Sequence, residues 1–123
     1  MVKYFVFSFF ILTFMISCAS RLQKGDDYRR QKSYGSAISM YSQAVVARDI
    51  SVNKYKLRMD LVKKEYGHSP FCHAVDVLRK AFALKAASYA SQGNLRESDR
   101  NLRIAKTLIL MYRYHNCRSL KRL

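Results

Sequence analysis

The chain has 123 residues, of which 50% are hydrophobic and 13% aromatic; this suffices for one packed domain and argues against both a disordered tail and a second full domain. Four Gly and one Pro leave few breaks in a chain rich in Ala, Leu, Lys and Arg, which favours an all-helical fold. The net charge of +15 directs the search for partners towards acidic or anionic molecules.

After Lys3, Tyr4 to Ser17 form an uncharged run of fourteen residues, mostly Phe, Ile, Leu, Val and Met. A bilayer span needs about 20 apolar residues, whereas a secretory h-region behind a positive n-region needs roughly 7 to 15. A removable signal over residues 1–17 fits better. The run stops at Ser17-Cys18-Ala19-Ser20, and Met15, Ile16, Ser17 and Cys18 resemble the lipobox of bacterial lipoproteins. The resemblance implies cleavage before Cys18, with acyl chains of the palmitate type placed on its sulfur and on the new amine. Residues 18–20 then form a lipidated N-terminus and the start of a linker. Met15 departs from the Leu or β-branched residue usual there. Ala19 is not the Asp that retains such proteins at the inner membrane, so in a host with two membranes the resemblance implies the periplasmic side of the outer one.

Beyond the linker, turn signals fall near Gly35-Ser36, Asp49 to Ser51, Gly67 to Pro70 and Gln92-Gly93-Asn94. They cut residues 21–116 into helix-sized pieces and leave 117–123 as a basic tail. Val52, Tyr55, Met59, Val62 and Tyr66 step by three and four with Lys and Arg between them, predicting an amphipathic helix. Asp49 or Ser51 would cap its start, and Gly67 with Pro70 would end it. Phe71 to Ser91 carries Phe71, Val75, Leu78, Phe82 and Tyr89 along one stripe, with Ala74, Ala81, Ala86 and Ala90 at small positions. A last helix is expected from about Arg96 to Asn116, with Leu102, Ala105, Leu108, Ile109 and Tyr112 on one face and Arg100, Arg103, Lys106 and Arg113 opposite.

A pattern recurs within this stretch. Gly25, Tyr28, Ala37, Tyr41 and Ala44 have the same spacing as Ala86, Tyr89, Ser98, Leu102 and Ala105, 61 residues further on (Gly25 to Ala86). These residues resemble the tetratricopeptide repeat, W-x2-L-G-x2-Y followed by A-x3-F and another small residue. Phe82 stands at the Trp position of the second copy, and Gly93 falls between its helices. Arg21 replaces the Trp of the first copy, Lys24 and Lys85 occupy the Leu positions, and the closing Pro is missing twice. The offset exceeds one repeat period, so Val52 to Tyr66 reads as a degenerate middle helix. The resemblance implies a short α-solenoid of antiparallel hairpins that binds a partner rather than performing catalysis. Arg29, Arg30 and Lys80, with Lys56, Lys63 and Lys64 if the middle helix keeps the same facing, are its candidate groove cations, alongside Leu22, Asp26, Ala83 and Ala87. They would suit an envelope protein or acidic peptide, and so few repeats would favour self-association to cover the ends.

Arg113, Arg118, Lys121 and Arg122 make the C-terminal end basic, so an adaptor for anionic lipid or an envelope polymer is the alternative to a protein scaffold. Nucleic acid would answer the charge too, but neither a groove-reading helix motif nor an aromatic RNA-binding signature is present. Cys72 and Cys117 could pair in an oxidising compartment or remain as buried thiols. With His68, His73 and His115 they supply metal-ligand types at a spacing that matches no standard zinc template, so no metal or cofactor is assigned. Eight scattered carboxylates, with no phosphate-binding Gly loop or G-x-S-x-G elbow, give no positive sign of an enzyme.

Overall fold

The computed structural model describes residues 20–117, whose regular structure is entirely α-helical: α1 (Arg21–Arg30), α2 (Tyr34–Val46), α3 (Val52–Tyr66), α4 (His68–Ser91) and α5 (Leu95–Tyr114). The expected signal segment, Cys18, and Arg118, Lys121 and Arg122 lie outside the described residues. Among the described residues no helix is long and apolar enough to cross a membrane. The helical stretch resolves into two compact units that divide between Asp49 and Ile50.

The N-terminal unit is the hairpin of α1 and α2. A capping box starts α1. The Ser20 hydroxyl accepts from the Gln23 amide at 3.2 Å, and the Gln23 side chain accepts from the Ser20 amide at 3.3 Å, so two otherwise orphaned donors are satisfied. The helices meet where Gly25 faces Tyr41: a Cβ on Gly25 would lie 2.6 Å from the Tyr41 ring. Gly25 is therefore required here for close approach. Ala37, Tyr41, Ala44 and Val45 are buried beside it, while Tyr28, expected at the helix contact, is partly exposed. Asp49 does not cap α3 but pairs with Arg21 at 2.8 Å.

In the C-terminal unit α4 packs along α5, and α3 packs on α4 and more lightly on α5. Ser51 caps α3, its hydroxyl accepting from the Lys54 amide at 3.2 Å, and Lys63 and Lys64 lie in the last turn, where the helix dipole favours cations. Tyr55, Met59 and Val62 of α3 join Phe71, Val75, Leu78 and Phe82 of α4 and Ala105, Leu108 and Met111 of α5 in the core; each fully buried large aliphatic or aromatic side chain contributes roughly 1.5 to 3 kcal/mol. At the junction of α3 and α4 two expectations are corrected. Tyr66 continues the apolar spacing of α3 but is exposed at its end. Pro70 is not a breaker after α3 but sits in the first turn of α4, where its missing N–H removes no intrahelical bond. Gly67, at φ 130°, is both the end of α3 and the N-cap of α4.

Helices α1, α2, α4 and α5 end in the same way. The amides of Ser33, Asp49, Asn94 and Cys117 donate to the carbonyls of Tyr28, Ala44, Tyr89 and Tyr112. Those of Lys32, Arg48, Gly93 and Asn116 donate to Arg29, Val45, Ala90 and Arg113. This is the Schellman pattern, which needs a left-handed residue just past the C-cap. Gly93 supplies it at φ 77°, whereas Lys32 (φ 62°), Arg48 (φ 64°) and Asn116 (φ 54°) supply it without glycine. The first hairpin accordingly turns at Gln31-Lys32-Ser33. The turn expected near Gly35-Ser36 is corrected, because both residues lie inside α2.

Candidate functional site

The repeated positions fall on two hairpins, the first copy on α1 and α2 and the second on α4 and α5. Turns Gln31-Lys32-Ser33 and Gln92-Gly93-Asn94 also keep the 61-residue offset, with matching hydrogen bonds. In the first copy Tyr41 is wholly buried, and its hydroxyl donates to Asp26 Oδ1 at 2.6 Å and accepts from Arg29 Nε at 3.3 Å. Burial, reinforced by the Asp26 hydrogen bond, pushes the phenol up to about 12. In the second copy Ala86 and Ala105 are buried and the Ser98 hydroxyl donates to the Ala86 carbonyl at 2.7 Å. Leu102, expected on the buried face of the last helix, is exposed instead, and Asn101 and Met111 are buried. The Asn101 amide is satisfied inside its own helix, donating to the Glu97 carbonyl at 2.7 Å.

The six candidate groove cations divide between the units. In the N-terminal unit Arg29 holds Tyr41 and Arg30 pairs with Asp27. In the C-terminal unit Lys80 pairs with Asp76 at 3.0 Å. Burial would raise the Asp76 carboxyl, but hydrogen bonds from Arg79 and Lys80 outweigh it and hold the group below the usual carboxylate range. Lys56 and Lys63 both reach the end of α5: Lys56 lies over the Tyr114 ring at 5.8 Å, and Lys63 Nζ is 2.8 Å from His115 Nδ1 and 5.6 Å from the centre of the Phe71 ring. Lys64 is exposed. Arg29 and Lys63 are thus partly consumed by the protein's own packing.

Around His115 the structure assembles a polar cluster that periodicity does not reveal. The ring packs edge-on against Phe71 at 4.6 Å. With the Lys63 ammonium as donor, Nδ1 must carry the lone pair, which leaves the ring proton on Nε2. Nε2 lies 3.3 Å from Asp60 Oδ1 but outside hydrogen-bond alignment. Burial, followed by the Lys63 charge, keeps the imidazole below its ordinary value, with Asp60 pulling the other way. Both ring nitrogens therefore face protein groups.

Beside this cluster Cys72 and Cys117 form a disulfide, Cα to Cα 5.4 Å, that ties the second turn of α4 to the second residue past the α5 C-cap His115. His68 Nε2 lies 3.4 Å from the Cys72 sulfur, and the ligand atoms of His68, Cys72 and Cys117 lie within 4.8 Å of one another. In the disulfide neither sulfur is a thiolate, the form that binds a metal, so this trio offers one imidazole nitrogen. Cys117, which the sequence analysis assigns to the tail, is buried and belongs to the folded unit.

The remaining feature is the solvent side of α5. Arg96, Arg100, Arg103, Lys106 and Arg113 are all exposed there, and Leu95, Leu102, Leu110 and Tyr114 are exposed among them. Asn94 caps the helix, its side chain accepting from the Glu97 amide at 3.3 Å. A shallow depression of about 520 Å³ at this end is lined by Asn94, Arg96, Glu97, Asp99, Arg100 and Arg103. Comparison with protein-family models, curated proteins and solved structures finds no match to this chain.

Proposed function

We propose that the protein is an envelope lipoprotein, anchored through Cys18, that acts as a non-catalytic interaction scaffold through hairpins of the tetratricopeptide type. The observation that carries this reading is the repetition: two hairpins share the spacing of their contact residues, the length of their turn and its hydrogen bonds at a constant offset. Repeated hairpins present helix faces to a partner. Cations at Arg30, Lys64 and Lys80 suit an acidic one. The disulfide fits an oxidising compartment beyond the cytoplasm.

The test is fractionation of cells expressing the wild type and Cys18→Ala, with intact-mass analysis of the product. The reading expects a mature chain that begins at Cys18, carries acyl chains and sediments with membranes, and a precursor that accumulates in the variant. An unmodified chain in the cytosol would overturn the address. For the scaffold, crosslinking of the anchored protein in cells should capture a defined envelope partner. Capture should be lost in Arg30→Glu with Lys80→Glu; Arg29 is left intact because it holds Tyr41.

A further inference from the structure

The exposed surface of α5 combines two properties that a merely solvated helix face does not need. Spaced at about 100° per residue, Leu95, Arg96, Arg100, Leu102, Arg103, Lys106, Leu110, Arg113 and Tyr114 fall within one arc of roughly 160°. The helix carries five cations and two acids. Within the arc the only carboxylate is Asp99, which pairs with Arg103 at 3.0 Å. Interleaved with the cations, Leu95 is 71% exposed, Leu110 64% and Tyr114 78%. An α-helix of 20 residues makes this a strip about 30 Å long.

We propose that this face of α5 docks on an anionic phospholipid bilayer, with its arginines on lipid phosphates and Leu95, Leu110 and Tyr114 at the level of the headgroups. Charge complementarity selects an anionic surface, since guanidinium groups bind phosphate oxygens in pairs. The aliphatic side chains select the bilayer among such surfaces. A phosphate backbone offers Leu95 and Leu110 nothing, whereas a membrane interface has an apolar layer directly beneath the phosphates, and Tyr is favoured at that boundary. The depression at the start of the helix is lined by Glu97 and Asp99 as well as by Arg96, Arg100 and Arg103, so the docking rests on the cations along the whole face and not on this depression. The long arginine stems can lie along the apolar layer while their charges stay at its surface. This inference rests on the reading that the chain works at the envelope membrane, and it adds the orientation in which the C-terminal unit would lie there.

The sequence contains no Trp, so Leu110→Trp creates a single fluorescent reporter on the face, and Leu84→Trp, at an exposed position of α4, creates a control. The full chain carrying either substitution is mixed with vesicles of phosphatidylcholine alone or with about a third phosphatidylglycerol. The expected result is a blue shift for Leu110→Trp on anionic vesicles and none for Leu84→Trp. Raising the salt from about 0.1 M to about 1 M, which shortens the screening length from roughly 10 Å to roughly 3 Å, should reverse the shift.

At about fivefold per basic residue near an anionic surface, adding Arg96→Gln, Arg100→Gln and Arg103→Gln should lower the ratio of docked to undocked face roughly a hundredfold. Asp99→Asn should raise it about fivefold. An equal shift on neutral vesicles, no shift on anionic ones, or a shift produced by RNA or an acidic protein but not by lipid would each overturn the proposal. Sedimentation with neutral vesicles and the mass at Cys18 read the anchor independently, so loss of the anchor and loss of the docking face are separate results.

Discussion

Replacing Gly25 with alanine should destabilise the N-terminal unit, although the same change in an open helix stabilises it. The new Cβ would lie 2.6 Å from Tyr41 Cε1 and 2.7 Å from Cδ1, where carbon atoms ordinarily stand about 3.5 to 4.0 Å apart. The ring cannot yield cheaply, because it is fully buried and its hydroxyl is held by Asp26 and Arg29. Overpacking of this kind costs about 1 to 3 kcal/mol, and loosening the Tyr41 to Asp26 bond adds about 1 kcal/mol or more. Higher helix propensity returns about 1 kcal/mol. The net expectation is a loss of about 1 to 3 kcal/mol. Gly35 is the internal control: a Cβ there meets nothing within 4 Å, so Gly35→Ala should gain up to about 1 kcal/mol. Urea unfolding followed by far-ultraviolet circular dichroism should give midpoints that move in opposite directions at unchanged slope. In a Tyr41→Leu background the cost of Gly25→Ala should shrink by about 1 kcal/mol or more. A Gly25→Ala midpoint at or above that of the wild type would refute the argument.

Other consequences can be measured on the same chain. The disulfide closes a loop with a sequence separation of 45, for which the chain-entropy model gives about 4 kcal/mol; Cys72→Ser or reduction should lower the stability of the C-terminal unit by about that much, and an unchanged urea midpoint would count against the loop argument. Since folding holds His115 below the ordinary imidazole value, the unfolded chain takes up the proton first as the pH falls. The His115 contribution to stability should therefore be level above about pH 6.5 and decline below it until the folded-state value is passed. His115→Gln should flatten that part of the stability profile, and an unaltered slope would refute the assignment. Lys32 and Arg48 hold left-handed conformations that favour glycine, so Lys32→Gly and Arg48→Gly should each raise the thermal midpoint, by about 0.5 to 1 kcal/mol in free energy; a fall would show that their side chains contribute more than the strain costs.

Much of the fold is legible in the sequence. Helical spacing is a local property, so Val52 to Tyr66 is readable as an amphipathic helix with its observed bounds, and the repeated spacing falls on the two hairpins, with Gly25 against Tyr41 in the first and Ser98 against Ala86 in the second. Hairpin turns were less legible, because the usual signal is glycine and only one of the four left-handed caps uses it. The exposure of Leu102 is not legible for a related reason: periodicity gives the direction of a side chain around its helix, but whether another helix covers that direction depends on the fold.

The helical class, the basic character and the alternation of apolar and charged faces are written locally in the chain, since each follows from composition and from contacts within a few residues. Tertiary packing alone decides that Cys72 meets Cys117, that Asp60 and Lys63 flank His115, and that Leu102 stands exposed among the α5 cations while Ala105, Leu108 and Met111 are buried across the helix from them. Those groups are brought together by how α3, α4 and α5 close on one another, and a spacing rule that extends one or two turns along a helix carries no information about that closure.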